Sequence, residues 1–202
     1  MKADDLKACP FEQFGEWFGR AKETEMSDPN AMSLATATKS AIPSVRIVLL
    51  KEWDNDGFVF YTNLTSRKGQ ELQNNPKAAL CFYWKSLNKQ VRIEGRVHQV
   101  SDERADAYYH SRPRRSQIGA WASKQSQVLE KREILEQKVN ALEDQFKDED
   151  VIPRPEFWSG FLVKPTRFEF WASGDNRLHD RFIYELDQST KQNGWSIQRH
   201  YP

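Results

Sequence analysis

What most constrains this chain is a succession of short β-type runs in its first half, separated by turns rather than by regularly spaced helices. Ala31–Thr38, Pro43–Leu50, Gly57–Thr62, Ala78–Trp84 and Gln90–Val100 carry β-branched and aromatic residues between polar or turn-forming segments. Asp54-Asn55-Asp56-Gly57 is hairpin chemistry, since Asn and Gly tolerate the positive φ of a tight turn. Phe161–Trp171, about Arg181–Leu186 and Trp195–Arg199 complete the β content. A doubly wound parallel sheet needs a crossover helix between successive strands, and that alternation is missing. The expected fold is mainly β with peripheral helices, an α+β arrangement built on a mostly antiparallel barrel.

The helices are legible by period. Phe11, Phe14, Trp17 and Phe18 recur at helical spacing and predict an amphipathic helix over 10–24, within an N-terminal helical segment 1–27. An Asp-Pro turn then breaks it. Thr65 or Ser66 caps a short helix that Pro76 closes, and Ser101 followed by Asp102 and Glu103 starts another through about His110. Val128, Leu129, Ile134, Leu135, Val139, Leu142 and Phe146 form one stripe among charges, which predicts a surface helix over 128–147. With no repeat or linker in view, residues 1–202 are expected to form a single domain.

Charge excludes some functions. The formal net charge is +1, so the chain has no global basic field of the kind that general nucleic-acid binding needs, and any anion site must be local. No apolar run approaches the roughly 20 residues that span a bilayer. Met1-Lys-Ala-Asp-Asp5 has no apolar core behind it and does not read as a secretory leader. Cys9 and Cys81 are far apart, and Cys81 lies in a strand-like run, so a buried free thiol in a reducing, cytoplasmic setting is expected. The four His and two Cys show no metal-ligand spacing.

The informative signal is cation without acid. Between Asp106 and Glu130 there is no carboxylate, yet His110, Arg112, Arg114, Arg115 and Lys124 fall there among Ser and Gln. Such a window reads as a phosphate cradle or as a basic solvated loop. A second acid-free stretch, 57–70, ends in Ser66-Arg67-Lys68 at a helix start, where the dipole favours an anion and opposes the two cations. The third is Arg177-Leu178-His179-Asp180-Arg181. If extended, it places Arg177, His179 and Arg181 on one face with Asp180 pointing away, which makes room for an external anion. Lys51 closes an apolar strand as a further donor. These residues reach as far as phosphorylated small molecules and no further.

Several longer segments carry a resemblance. Arg46-Ile-Val-Leu-Leu-Lys51, Phe60-Tyr-Thr-Asn63, Ser66-Arg-Lys68 and Asn88-Lys-Gln-Val-Arg-Ile-Glu-Gly95 are joined by two longer ones, His110-Ser-Arg-Pro-Arg-Arg-Ser-Gln-Ile-Gly-Ala-Trp121 and Asn176-Arg-Leu-His-Asp-Arg181, with Ser123-Lys-Gln-Ser126 between. From about Asp28 to its end, the chain resembles the pyridoxine 5′-phosphate oxidase family. The resemblance implies an FMN-binding split β-barrel that pairs as a homodimer, with FMN held at the subunit interface. It implies FMN contacts from Arg46, Lys51, Tyr61, Thr62, Arg67, Lys68, Gln90, Gln125, Ser126, Trp171 and Arg181. Lys51, Tyr108, Arg112 and Ser116 would hold the substrate phosphate, and Arg177 and His179 would lie over the substrate ring as the catalytic pair. The implied reaction is hydride removal from C4′ of pyridoxine 5′-phosphate or pyridoxamine 5′-phosphate, giving pyridoxal 5′-phosphate, with O2 reduced to H2O2. No metal, nucleic acid or membrane enters it. Two alternatives compete: a non-catalytic flavin- or pyridoxal-phosphate-binding carrier or sensor of the same fold, and a nucleic-acid-binding barrel using the 107–129 window. Near-zero net charge and the lack of an aromatic ladder beside those arginines count against the latter.

Overall fold

The computed structural model describes residues 6–187 and 194–202, so the reading of residues 1–5 lies outside the described residues. The elements run α1 (Pro10–Thr24), β1 (Ala31–Ala37), β2 (Pro43–Leu49), β3 (Glu52–Asp54), β4 (Gly57–Asn63), α2 (Arg67–Asn74), β5 (Lys77–Trp84) and β6 (Lys89–Gln99). They continue with α3 (Asp102–Ser111), α4 (Arg114–Ala122), α5 (Arg132–Gln145), β7 (Trp158–Ala172), β8 (Asp180–Leu186) and β9 (Trp195–His200). Every strand pairing is antiparallel, in the order β2-β1-β5-β6-β7-β4-β3, with β8 and β9 branching from β7. The expectation of a mainly antiparallel sheet with outer helices holds.

The inner face is aromatic. Phe11, Phe14, Trp17 and Phe18 of α1 are buried against Phe58, Phe82, Trp84, Phe168 and Phe170, with ring contacts such as Phe14–Phe58 at 4.8 Å and Trp17–Phe170 at 5.3 Å. Burying each such ring contributes about 2–3 kcal/mol, which is why so polar a chain can close a core. Gly15 lets α1 lie close, since a Cβ there would sit 2.8 Å from the Trp53 ring.

β7 is the longest strand and is shared. Its first half pairs with β4 (Trp158 opposite Asn63), its second with β8 (Trp171 opposite Arg181), and β6 runs along both. A bulge interrupts the β6–β7 ladder, where Glu94 opposes Arg167 but Gly95 opposes Pro165. Thr166 is thus an extra residue. Strand side chains alternate with period two, so without it Phe161 and Val163 could not share the inner face with Phe168 and Phe170 as they do. Gly95 admits the close backbone approach, since a Cβ would meet the Lys164 carbonyl at 2.1 Å.

Four expectations need correction. The acid-free window, read without a helix of its own, contains one: Pro113 restarts the chain as α4, a short helix burying Gln117, Ile118 and Ala122. The helix expected from Val128 begins only at Arg132, because 124–131 turns first; Val128 is 95% exposed, and of the stripe it is Phe146, Val139 and Leu142 that pack with Ile118 and Ile152. Residues 177–181 are not one extended run: Asp175–Arg177 is a 3-10 turn with φ of 53° at Asn176 and 65° at Arg177, and only from Asp180 does the chain enter β8. Cys81 is a free thiol but only half-buried, on the outward face of β5; burial pushes its thiol up.

Candidate active site

Two constellations emerge, and the same chain does not bring them into one cavity. The first opens on the outer face between β4, α3 and α4, in a cavity of about 540 Å³ lined by Lys51, Tyr61, Thr62, Tyr108, Arg112, Ser116, Gln125 and Trp158 among others. No carboxylate lines it among the described residues. Lys51, Tyr108, Arg112 and Ser116, which the resemblance implies act together, line this one cavity. Of the cations in the acid-free window only Arg112 reaches this cavity. Arg114 is spent on the carbonyls of Glu149, at 2.9 Å, and Phe146, while His110, Arg115 and Lys124 are exposed.

Arg112 lies at the junction of α3 and α4, where Pro113 prevents the helix from continuing. Its Nη1 is buried without a hydrogen-bond partner, and no ion pair to it occurs among the described residues. The α4 N-terminus, with Ser116 in its first turn, adds the positive end of the helix dipole. Tyr61 and Tyr108 stack at 3.9 Å beside it, and the Tyr61 hydroxyl donates to Glu52 at 2.6 Å. Arg104 grips Glu52 in turn at 2.7 Å. Burial and the Glu52 contact push the Tyr61 phenol up, so it remains a neutral donor.

Next to this cavity lies the start of α2. The Ser66 hydroxyl accepts from the Gly69 N–H at 3.3 Å, a cap that fixes Arg67 and Lys68 in the first turn. These neighbours diverge. Lys68 Nζ donates to Gln125 Oε1 at 2.8 Å and Thr62 Oγ1 at 3.2 Å, both cavity residues, and burial with the nearby Arg46 charge pushes its amine down. Arg67 turns the other way: its Nε donates to Glu71 Oε1 at 2.9 Å, and it lines a separate cleft with Lys39. Glu71 Oε2 also receives Ser44 Oγ at 2.6 Å, Thr36 Oγ1, and Arg46 Nη2 at 3.3 Å. Burial alone would raise this carboxyl; the hydrogen bonds from Ser44, Thr36 and Arg67 and the Arg46 charge outweigh it and bring it down to about 2.

The second constellation sits where β6, β7 and β8 run side by side. Register puts Gln90, Trp171 and Arg181 in one row. His179 packs its ring 4.6 Å from that of Trp171, and its Nδ1 accepts from the Gly174 N–H at 3.2 Å, which leaves Nε2 to carry the proton of the neutral ring. His179 lines a cavity of about 460 Å³ with Arg199 and Tyr201, while Arg177 stands exposed on its turn. The sequence reading left Arg181 to an external anion. In the structure Glu169, 3% exposed, accepts from it at 2.9 and 3.2 Å, and the Tyr201 carbonyl takes a third bond. Ser126 sits in a turn at φ 72°, beside Gln125. Sequence reasoning missed Trp158, Glu71 and Glu169. Glu71 stands four residues after Arg67, an ordinary helix pair by spacing, and nothing in the sequence marks the other two.

The sequence profile described as pyridoxamine 5′-phosphate oxidase matches residues 19–146, and that of the pyridoxine 5′-phosphate oxidase C-terminal dimerisation region matches residues 158–202. The chain belongs to the pyridoxamine 5′-phosphate oxidase family. A Crocosphaera subtropica protein named pyridoxine/pyridoxamine 5′-phosphate oxidase is 51% identical over 202 residues, covering 100% of this chain and 94% of its own. One of the same name from Brucella canis is 51% identical over 99% of this chain and 98% of its own. Among solved structures, PhzG from Burkholderia lata 383, in complex with tetrahydrophenazine-1-carboxylic acid, superposes with a TM-score of 0.89 at 30% identity, covering 98% of this chain and 95% of that one. A pyridoxamine 5′-phosphate oxidase-related, FMN binding protein from Nostoc punctiforme shares the fold, with a TM-score of 0.74 at 16% identity over 98% of this chain and 99% of that one. The family's split barrel is the fold expected from the resemblance.

Proposed function

We propose that this family member is an FMN-dependent oxidase that converts pyridoxine 5′-phosphate or pyridoxamine 5′-phosphate to pyridoxal 5′-phosphate, acting in the cytoplasm as a homodimer of single-domain chains. The observation that carries the reading is the carboxylate-free cavity around Lys51, Tyr108, Arg112 and Ser116. A dianionic phosphate ester supplies the charge that its cations lack. The orphaned Arg112 Nη1 and the α4 N-terminus are the donors it would meet.

The flavin fits the adjoining groups. Lys68 at the capped start of α2 is a donor for its phosphate, and Arg67 and Arg46, oriented by Glu71, would add the N–H groups that Glu71 does not take. Thr62, Gln125, Ser126, Tyr61, Lys51, Gln90, Trp171 and Arg181 offer the polar and ring contacts. FMN, when bound, supplies acceptance of the hydride leaving C4′ and passes the electrons to O2, giving H2O2. The chain's share is orientation: the cavity fixes the phosphate end, and Arg177 and His179 hold the ring. His179, with Nδ1 held by Gly174, presents Nε2 for proton transfer at the substrate's 4′ group.

His179 lines a different cavity of the chain from Lys51, Tyr108, Arg112 and Ser116, so the reading needs a second copy. Val45 and Ile47, 68% and 64% exposed, make the outward side of edge strand β2 apolar, as a subunit contact requires. The matched dimerisation region contains Arg177 and His179.

The deciding assay is oxygen-dependent formation of pyridoxal 5′-phosphate from pyridoxine 5′-phosphate by the yellow, flavin-loaded protein. A colourless protein that takes up no FMN from excess, or a loaded one without turnover, sinks the reading. Arg177→Ala and His179→Ala should each lower kcat about 100-fold with flavin retained. Arg67→Ala should instead raise the FMN dissociation constant about tenfold. Indistinguishable behaviour of the two classes would break the role assignment.

A further inference from the structure

We propose that Trp158 is a positioning residue for anion binding in this cavity: with Tyr109, its ring face holds the Arg112 guanidinium where a carboxylate would otherwise stand. The inference rests on the phosphate-site reading above and deepens it.

A half-buried arginine normally meets a carboxylate, and elsewhere in this molecule it does: Arg46 has Glu71, Arg181 has Glu169, and Arg154 has Asp102 and Asp106. Arg112 has none among the described residues. Its Cζ instead lies 4.8 Å from the centroid of the Trp158 ring and 5.8 Å from that of Tyr109. A ring face attracts a guanidinium without taking up its N–H donors and without cancelling its charge. A carboxylate would do both and would repel the incoming phosphate. The aromatic shelf thus holds the arm and leaves the charge to the ligand.

The shelf is itself fixed. Trp158 is 6% exposed and lines the cavity, its ring nearly parallel to those of Tyr61 (5.4 Å, 8°) and Tyr108 (6.2 Å, 5°). Its carbonyl accepts from Arg154 Nη1 at 2.7 Å, and Arg154 is bound to Asp102 and Asp106 on α3 at 2.7 and 2.5 Å. The strand carrying Trp158 is thereby tied to the helix that leads into Arg112. The Tyr109 hydroxyl donates to the Gln117 carbonyl at 3.0 Å, which locks the second ring onto α4.

The test is a double-mutant cycle on the flavin-loaded dimer. Binding of pyridoxal 5′-phosphate is read by calorimetry, beside KM and kcat for pyridoxine 5′-phosphate. Trp158→Leu should weaken binding and raise KM about tenfold, with kcat and flavin content within about twofold of the parent. Trp158→Phe, which keeps a weaker ring face, should lose only about threefold and cover the case in which the leucine variant does not fold. In an Arg112→Ala background Trp158→Leu should cost nothing more. A further tenfold loss in that background, a loss confined to kcat, or a phenylalanine variant that melts like the parent but binds as parent does, or as poorly as the leucine variant, would overturn the proposal. If Arg112→Ala alone bound as tightly as the parent, the phosphate reading itself would fall, a result distinct from one in which Arg112 matters and Trp158 does not.

Discussion

Arg67 and Lys68 are neighbours at the start of one helix, yet they belong to regions that treat charge in opposite ways. On the Arg67 side, Glu71 gathers Arg67, Arg46, Ser44 and Thr36 around one buried carboxylate. On the Lys68 side, the cavity holding Lys51 and Arg112 is lined by no acid among the described residues. The first arrangement is complete before any ligand arrives and serves shape: it sets the directions of two guanidinium groups. The second is incomplete by design of its side chains and serves attraction. A folded chain can hold only a little uncompensated buried charge, so the neutralised region supplies the rigidity that lets the open one persist.

The contrast is sharpest in stability. Glu71→Ala strands two arginines and should cost about 3–5 kcal/mol, read from urea unfolding of the flavin-free protein. Arg112→Met in the same assay should cost nothing or add a little stability, because it removes a buried charge that has no partner. Equal losses would erase the distinction. Acid offers a second handle. The Glu71 carboxyl lies at about 2, well below its ordinary 4.5, so its stabilising contribution is complete above pH 4.5 and disappears as pH falls toward 2. Glu71→Gln should lack that dependence, and its deficit, on the order of 3 kcal/mol at neutral pH, should close across this window. A deficit that stayed constant with pH would show that Glu71 acts by shape alone. The smallest effect is ionic. Raising salt about tenfold from low ionic strength should raise KM for the phosphate ester about threefold, since the cavity is open to solvent. The cost of Glu71→Ala should not move, because a buried pair is little screened.

The sequence made one of these regions more visible than the other. Arg112 and Ser116 stood out because acid was missing around them, and absence along the chain survived as absence in space; Lys51 was marked only as a donor at a strand end. The neutralised cations misled. Arg181 looked like a free cation because its partner, Glu169, lies on another strand. The same carboxylate serves Arg92 across 77 residues of chain, a separation that no local pattern reports. α4 was hidden for a different reason: nine residues beginning Arg-Arg-Ser give too short a stripe to show a period. The 3-10 turn before β8 escaped because Asn176 and Arg177 take positive φ, which composition signals weakly for Asn and not at all for Arg. The aromatic period of α1 and the strand runs were plain, since burial on one face writes itself into spacing.

The extra residue in β7 has a consequence for how the halves of the site stay in phase. Trp158 and Trp171 are an odd number of positions apart, and an uninterrupted strand would send their rings to opposite sides of the sheet. Thr166 absorbs the odd step, so both indoles open to the face away from α1. Deleting that single threonine would turn Glu169 and Trp171 inward against the aromatic core and drive Phe168 and Phe170 into water. The chemistry at the far end of the strand is thus indexed to the cavity at the near end by one bulged residue that touches neither.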